Sequence, residues 1–179
     1  MILSGDEIIK QVAQDAITIS PFNEDQVTTN SYDFRLQDKL LIYTDSSLDV
    51  KKNNQFRVRD IPKSGVVLEA GQLYLGATVE KMGSSVYVPI IKGRSSIARL
   101  GLFIHATADL IDLGSINQWT LQLIPTLPVR IYPNMRIGQV TFWSVMGDKH
   151  HQYAGKYSDS VGPVASKSYL DYSVENNVT

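Results

Sequence analysis

Residues 93–101 read Gly93-Arg94-Ser95-Ser96-Ile97-Ala98-Arg99-Leu100-Gly101. Ser95 or Ser96 is a natural N-cap and Gly101 a natural C′ residue, so the stretch predicts a short helix. Residues 86–91 before it and 102–106 after it are apolar and alternating, bounded by turn residues, and predict strands. The helix is therefore an insertion between strands. A helix N-terminus carries free N–H groups and partial positive charge, so it attracts phosphate. Arg94 adds a planar two-toothed donor beside it. Arg99 lies four residues after Ser95, on the same helix face. Two arginines and two hydroxyls on one short helix make an anion cradle. Equally, the spacing describes a capped surface helix with two solvated arginines.

On either side of this segment the period of two recurs. Tyr32-Asp33-Phe34-Arg35-Leu36 alternates, and residues 40–43 form a short apolar run. Ile17 and Ile19 alternate with polar residues and predict a short strand stopped at Pro21. Further strands are predicted at 66–68, 72–80, 119–124, 129–132 and 138–144, each bounded by Gly, Pro, Asn or Asp. Residues 45–54 predict a solvated loop. At the N-terminus, Ser4 followed three residues later by Glu7 is a capping box. Ile8, Ile9, Val12 and Ala16 continue at helical spacing, predicting a helix over 5–15. Many short strands between frequent turn signals argue a mainly β sandwich or barrel-like domain. Residues 1–179 read as a single domain, with a polar tail over about 148–179 expected to be mobile.

Composition narrows the function. The 179 residues carry 17 basic and 18 acidic side chains, a formal net charge of −1. No global basic field exists to draw in nucleic acid or an anionic membrane, so neither is expected as a partner. Any anion must be held by a local cluster. Cysteine is absent, which excludes thiol catalysis and zinc sites that use sulfur. No apolar run approaches the ~18 residues of a membrane span, and the N-terminus lacks a signal peptide's basic and apolar regions. A soluble, cytoplasmic chain is expected.

The quoted segment GRSSIARLGL, with His105-Ala106-Thr107-Ala108 and Ile111-Asp112 behind it, resembles the signature of the dCTP deaminase family, within the trimeric dUTPase superfamily. Other pieces resemble it in the expected order: the N-terminal MILSGDEII, Ser31 to Leu36, Arg136-Ile137-Gly138-Gln139-Val140-Thr141-Phe142, and a tail with Gly155-Lys156-Tyr157 and Gly162-Pro163-Val164-Ala165-Ser166-Lys167. The resemblance implies a distorted jelly-roll-like, dUTPase-type β fold with a short N-terminal helix and a short inserted helix. It implies a homotrimer with sites between subunits, and dCTP or dUTP as ligand with Mg²⁺ on its phosphates and no protein metal site. By position, Arg94, Ser95, Ser96 and Arg99 would hold the triphosphate and the catalytic water. Asp112 would lie near the deoxyribose and base, and Lys156 and Tyr157 would close over the phosphates. Ser95, Arg99, Asp112 and position 122 would form the catalytic set.

Several positions depart from that pattern. The resembling deaminases carry a glutamate ten residues after the aspartate, which takes a proton from the attacking water; here that position is Gln122. An amide is no general base at neutral pH, and losing that role costs ~10²–10⁴ in rate. No acidic residue lies between Asp112 and Asp148. Ser115 and Asn117 stand where the family has an aromatic residue and a glycine, and Ser160 or Val161 replaces a polar amide in the tail. Zinc-dependent deamination is excluded independently, since it needs cysteine ligands. His150 and His151 read as a solvated loop, His105 as a hydrogen-bonded, partly buried strand residue, and Trp119 and Trp143 as core or interface. Ser95 has no Ser-His-Asp motif around it. Three readings stay open: an enzyme of dCTP/dUTP metabolism, deaminating dCTP or hydrolysing dUTP; a non-catalytic nucleotide-binding trimer; and a related enzyme on a modified pyrimidine nucleotide.

Overall fold

The computed structural model describes residues 1–148 and 151–173. Helix α1 (Gly5–Ala13) begins where the capping box predicts: Ser4 Oγ accepts the Glu7 N–H at 3.3 Å. Asp6 and Glu7 lie in its first turn, against the positive end of the helix dipole. Ile8 is fully buried and docks the helix on the body. The helix ends two residues short of the predicted Asp15, because Asp15 adopts a left-handed conformation (φ +57°) that turns the chain into β1 (Thr18–Ser20).

The strands then follow in order: β2 (Tyr32–Arg35), β3 (Lys39–Tyr43), β4 (Phe56–Asp60), β5 (Val66–Leu68), β6 (Tyr74–Gly83) and β7 (Tyr87–Gly93). Helix α2 (Ser95–Ala98) is the predicted insertion, and β8 (Leu102–Phe103), β9 (Asn117–Pro125), β10 (Val129–Ile131) and β11 (Arg136–Ser144) complete the body. A short α3 (Tyr169–Tyr172) lies in the tail. All pairings are antiparallel. One sheet runs β4–β3–β6–β9–β8 with β1 also on β6; a second is β2–β11–β7; β10 and β5 pair separately. Their inner faces enclose a core that includes Tyr32, Phe34, Leu36, Leu40, Leu121, Leu123, Val140 and Phe142, all fully buried. Strand β11 is crowded at Gly138, which lies opposite Phe34 of the neighbouring β2. A Cβ there would lie 2.2 Å from Phe34 Cζ and 2.4 Å from Ile104 Cδ1, so only glycine fits. The architecture is the mainly β, jelly-roll-like fold expected from the sequence.

Local differences have local causes. Neither serine caps α2: the backbone is still extended at Arg94 (ψ 139°), which becomes the N-cap without a side-chain hydrogen bond, and both serines fall in the first turn. The strand predicted over 102–106 stops at Phe103, since Ile104 turns into the core and the next residues fold on themselves. There the His105 ring Nε2 meets the Ala108 carbonyl at 2.6 Å, so His105 is half-buried and hydrogen-bonded but lies in a loop. Strand β4, to which the sequence analysis assigns nothing, is exposed at every residue, so no burial pattern marks it. Trp119 is in the core, whereas Trp143 is 39% exposed with its indole N–H on Thr141 Oγ1. His151 is exposed; His150 lies outside the described residues. Among the described residues no helix is long and apolar enough to cross a membrane.

Candidate functional site

The cradle groups gather on one turn. Extended β7 delivers Arg94, and the following turn carries Ser95, Ser96 and Arg99, all three exposed, with Ile97 buried beneath them as the anchor. Arg94 is held differently. Its Nε lies 3.0 Å from Asp33 Oδ2, and its Nη1 donates to the Arg136 carbonyl at 3.5 Å. Asp33 is a residue of β2 whose side chain is only 5% exposed. Burial pushes its carboxyl above the usual carboxylate range, outweighing the opposite pull of Arg94 and Arg136. One arm of the cradle is thus fastened to a buried carboxylate while the rest faces solvent. The alternation of Tyr32-Asp33-Phe34 points the aspartate away from the core, whereas all three residues are buried, so sequence spacing gives no sign of the Asp33–Arg94 pair.

Asp112 belongs to another place. Residues 109–111 run back along β7, with Ile91 N–H on the Asp109 carbonyl at 2.8 Å and Ile111 N–H on the Pro89 carbonyl at 3.0 Å. Asp112 then emerges, exposed, beside Val88, in a cleft also lined by Leu113, His151 and Tyr153. Val88 and Ser95 are seven residues apart on an extended chain, so Asp112 and the cradle lie roughly 20 Å apart at ~3.3 Å per residue. Within one chain they occupy opposite ends of β7.

Gln122 sits on β9, whose alternate residues Asn117, Trp119, Leu121, Leu123 and Pro125 are buried while Gln118, Thr120, Gln122 and Ile124 line the outer row. Gln122 lies opposite Leu75 of β6, half-buried, and its amide makes no hydrogen bond among the described residues. The C-terminal segment lies along this row. Gly162 N–H donates to Gln118 Oε1 at 2.8 Å and Val164 N–H to Thr120 Oγ1 at 3.0 Å. It continues toward the β3–β4 edge, where Ser166 N–H reaches Tyr43 Oη and Ser168 Oγ reaches the Val50 carbonyl.

Lys156 and Tyr157 come together in this segment. The Lys156 ammonium pairs with Asp171 and lies 5.9 Å from the Tyr157 ring centre; that of Lys167 lies 5.6 Å from the same ring and donates to the Lys156 carbonyl. Asp171 raises the Lys156 pKa. Lys167 and Asp171 were missed as partners of this pair, because contacts across a tail have no sequence period. Since α2 packs against β8 at the opposite edge of the sheet, one chain does not bring the lysine cluster and the cradle together.

Among the described residues, no three His, Asp or Glu side chains converge as a metal cage.

A family model described as dCTP deaminase-like matches residues 2–145. A protein of Hathewaya histolytica named dCTP deaminase, dUMP-forming, is 42% identical over 172 residues, covering 96% of this chain and 99% of its own length. The protein of the same name from Clostridium acetobutylicum is 44% identical over the same coverage. A crystal structure of 2′-deoxycytidine 5′-triphosphate deaminase from Agrobacterium tumefaciens superposes with a TM-score of 0.64 at 24% identity, covering 79% of this chain. This chain spans about half, 47%, of that solved one, and the likeness concerns the fold.

Proposed function

The chain belongs to the dCTP deaminase-like family, and from that premise we propose that it binds a deoxypyrimidine nucleoside triphosphate, dCTP or dUTP, in sites shared between the subunits of a homotrimer. The observation that carries the reading is the α2 turn: Ser95, Ser96 and Arg99 open to solvent beside an Arg94 held by Asp33. The separation of this turn from Asp112 supports a shared site, since a nucleotide touching both would take them from different chains. Lys156 and Tyr157 would approach the phosphates from the tail. Mg²⁺ would arrive on the triphosphate and offset its charge.

Forming dUMP from dCTP takes two hydrolyses. In one, water replaces the C4 amino group and ammonia leaves; in the other, water displaces diphosphate from the α-phosphate. The first needs a group that accepts a proton from water and passes one to the ring. Gln122 offers an amide at that position, with no acidic residue between Asp112 and Asp148 to take its place. The second is open to Asp112, whose carboxylate can orient water. We therefore read the chain as a cytoplasmic hydrolase of dCTP/dUTP metabolism with crippled deamination, its remaining chemistry being dUTP hydrolysis. Gln122, Ser115 and Asn117 together favour a second reading, a nucleotide-binding trimer without catalysis; retuning to a modified pyrimidine would use the same changes. The test incubates pure protein with Mg²⁺ and dCTP, dUTP or dTTP, measuring ammonia, diphosphate and nucleotide products, with light scattering for the assembly. Diphosphate from dUTP without ammonia from dCTP is expected. Tight binding without products would favour the second reading. Efficient ammonia release from dCTP would overturn the role assigned to Gln122, and a clean monomer the shared site.

A further inference from the structure

Three of the positions that depart from the family pattern, Ser115, Asn117 and Ser160, touch one another. Asn117 is 5% exposed at the start of β9, and its Nδ2 donates to Ser115 Oγ at 3.1 Å. Its Oδ1 accepts the Ser160 N–H at 3.2 Å, and Ser160 Oγ donates to the Tyr157 carbonyl at 2.6 Å. An unbroken chain of hydrogen bonds thus runs from the loop after Asp112 to the tail residue placed at the phosphates. Beyond it, Gln118 and Thr120 hold Gly162 and Val164 in the same manner. Three alternate backbone N–H groups of the tail are therefore taken by three β9 side chains. The one backbone-to-backbone bond between these segments is Gln118 N–H to the Ser160 carbonyl, at 3.2 Å. A strand added to a sheet edge pairs through backbone and tolerates most residues. This segment is held chiefly by side-chain acceptors, so its hold depends on which residues stand at 117, 118 and 120. A glycine at 117 would supply no acceptor.

We infer that Asn117 is a positioning residue: oriented by Ser115, it latches Ser160 and so fixes where Tyr157 and Lys156 are presented to the nucleotide. The inference rests on the proposed nucleotide site, but its structural half is measurable alone. The experiment compares wild type, Asn117→Ala, Asn117→Asp and the milder Ser115→Ala. Hydrogen–deuterium exchange is read over residues 157–164, and affinity by calorimetric titration with a non-hydrolysable dUTP analogue in MgCl₂. Aspartate keeps an acceptor for Ser160 and can accept from Ser115, so Asn117→Asp should retain wild-type protection and affinity. Asn117→Ala should exchange about tenfold faster at Ser160, as expected for one lost hydrogen bond, and bind the analogue severalfold more weakly. Ser115→Ala should fall between. Unchanged exchange in Asn117→Ala, or equal loss in the alanine and aspartate variants, would overturn the latch. Faster exchange with undiminished affinity would overturn the positioning role. A wild-type chain that binds no nucleotide would sink the site reading and the positioning role, while the exchange comparison would still decide the latch.

Discussion

Removing Arg94 should separate its two roles. In Arg94→Ala the Asp33 carboxylate, 5% exposed, loses its ion pair and keeps only the more distant influence of Arg136. Stranding one partner of a fully buried pair costs ~3–5 kcal/mol. Arg94 is 34% exposed, so water screens part of that interaction, and about 2 kcal/mol is expected. For a domain of this length that lowers Tm by roughly 4–8 °C. Asp33→Asn in the same chain replaces the stranded charge with a neutral isostere. Because burial already disfavours the Asp33 carboxylate, the double variant should recover most of the lost stability. It should not recover ligand. If the Arg94 guanidinium holds phosphate, both variants should bind a non-hydrolysable triphosphate about 1.5–3 kcal/mol more weakly, as for one charge-assisted hydrogen bond. Scanning calorimetry and titration calorimetry on the two variants read these quantities separately. Wild-type melting of Arg94→Ala would refute the structural half. Affinity restored in the double variant would show that Arg94 acts through Asp33 and not on phosphate.

Gln122→Glu should raise ammonia release from dCTP by at least ~10²-fold if charge is the only defect; no gain would indicate that Ser115 and Asn117 have also reshaped the base pocket. Asp112→Asn should nearly abolish any dUTP hydrolysis while leaving the assembly folded, and retained turnover would remove Asp112 from water orientation. Burial holds the His105 pKa below its usual 6.5, so the folded state favours the neutral ring. Its stabilising effect is complete above about pH 6.5 and declines as pH falls below it toward the folded value. Melts at about pH 7.5 and about pH 5.5 should show a larger drop for wild type than for His105→Gln; equal drops would take His105 out of the acid response.

Much of the body was legible because strands with one wet face write themselves as alternation. In β9 the buried Trp119, Leu121 and Leu123 interleave with Gln118, Thr120 and Gln122, and the capping box marked the start of α1 to the residue. Strand β4 left no such record, since Phe56 to Asp60 are all exposed. The cradle residues were found as a local cluster because Arg94 to Arg99 share one turn, and local geometry follows from sequence spacing.

Asp33 beneath Arg94, Asn117 against Ser160, and Asp171 on Lys156 are pairs separated by 61, 43 and 15 residues. No period relates such positions; the sheet order and the path of the tail bring them together. The sequence by itself determined which side chains are available: two arginines and two serines around one turn, an aspartate at 112 and an amide at 122. Only the tertiary structure decided which of these groups meet, because a β-sheet sets its neighbours by strand pairing across long loops, and a side chain's partner depends on that pairing rather than on its place in the chain.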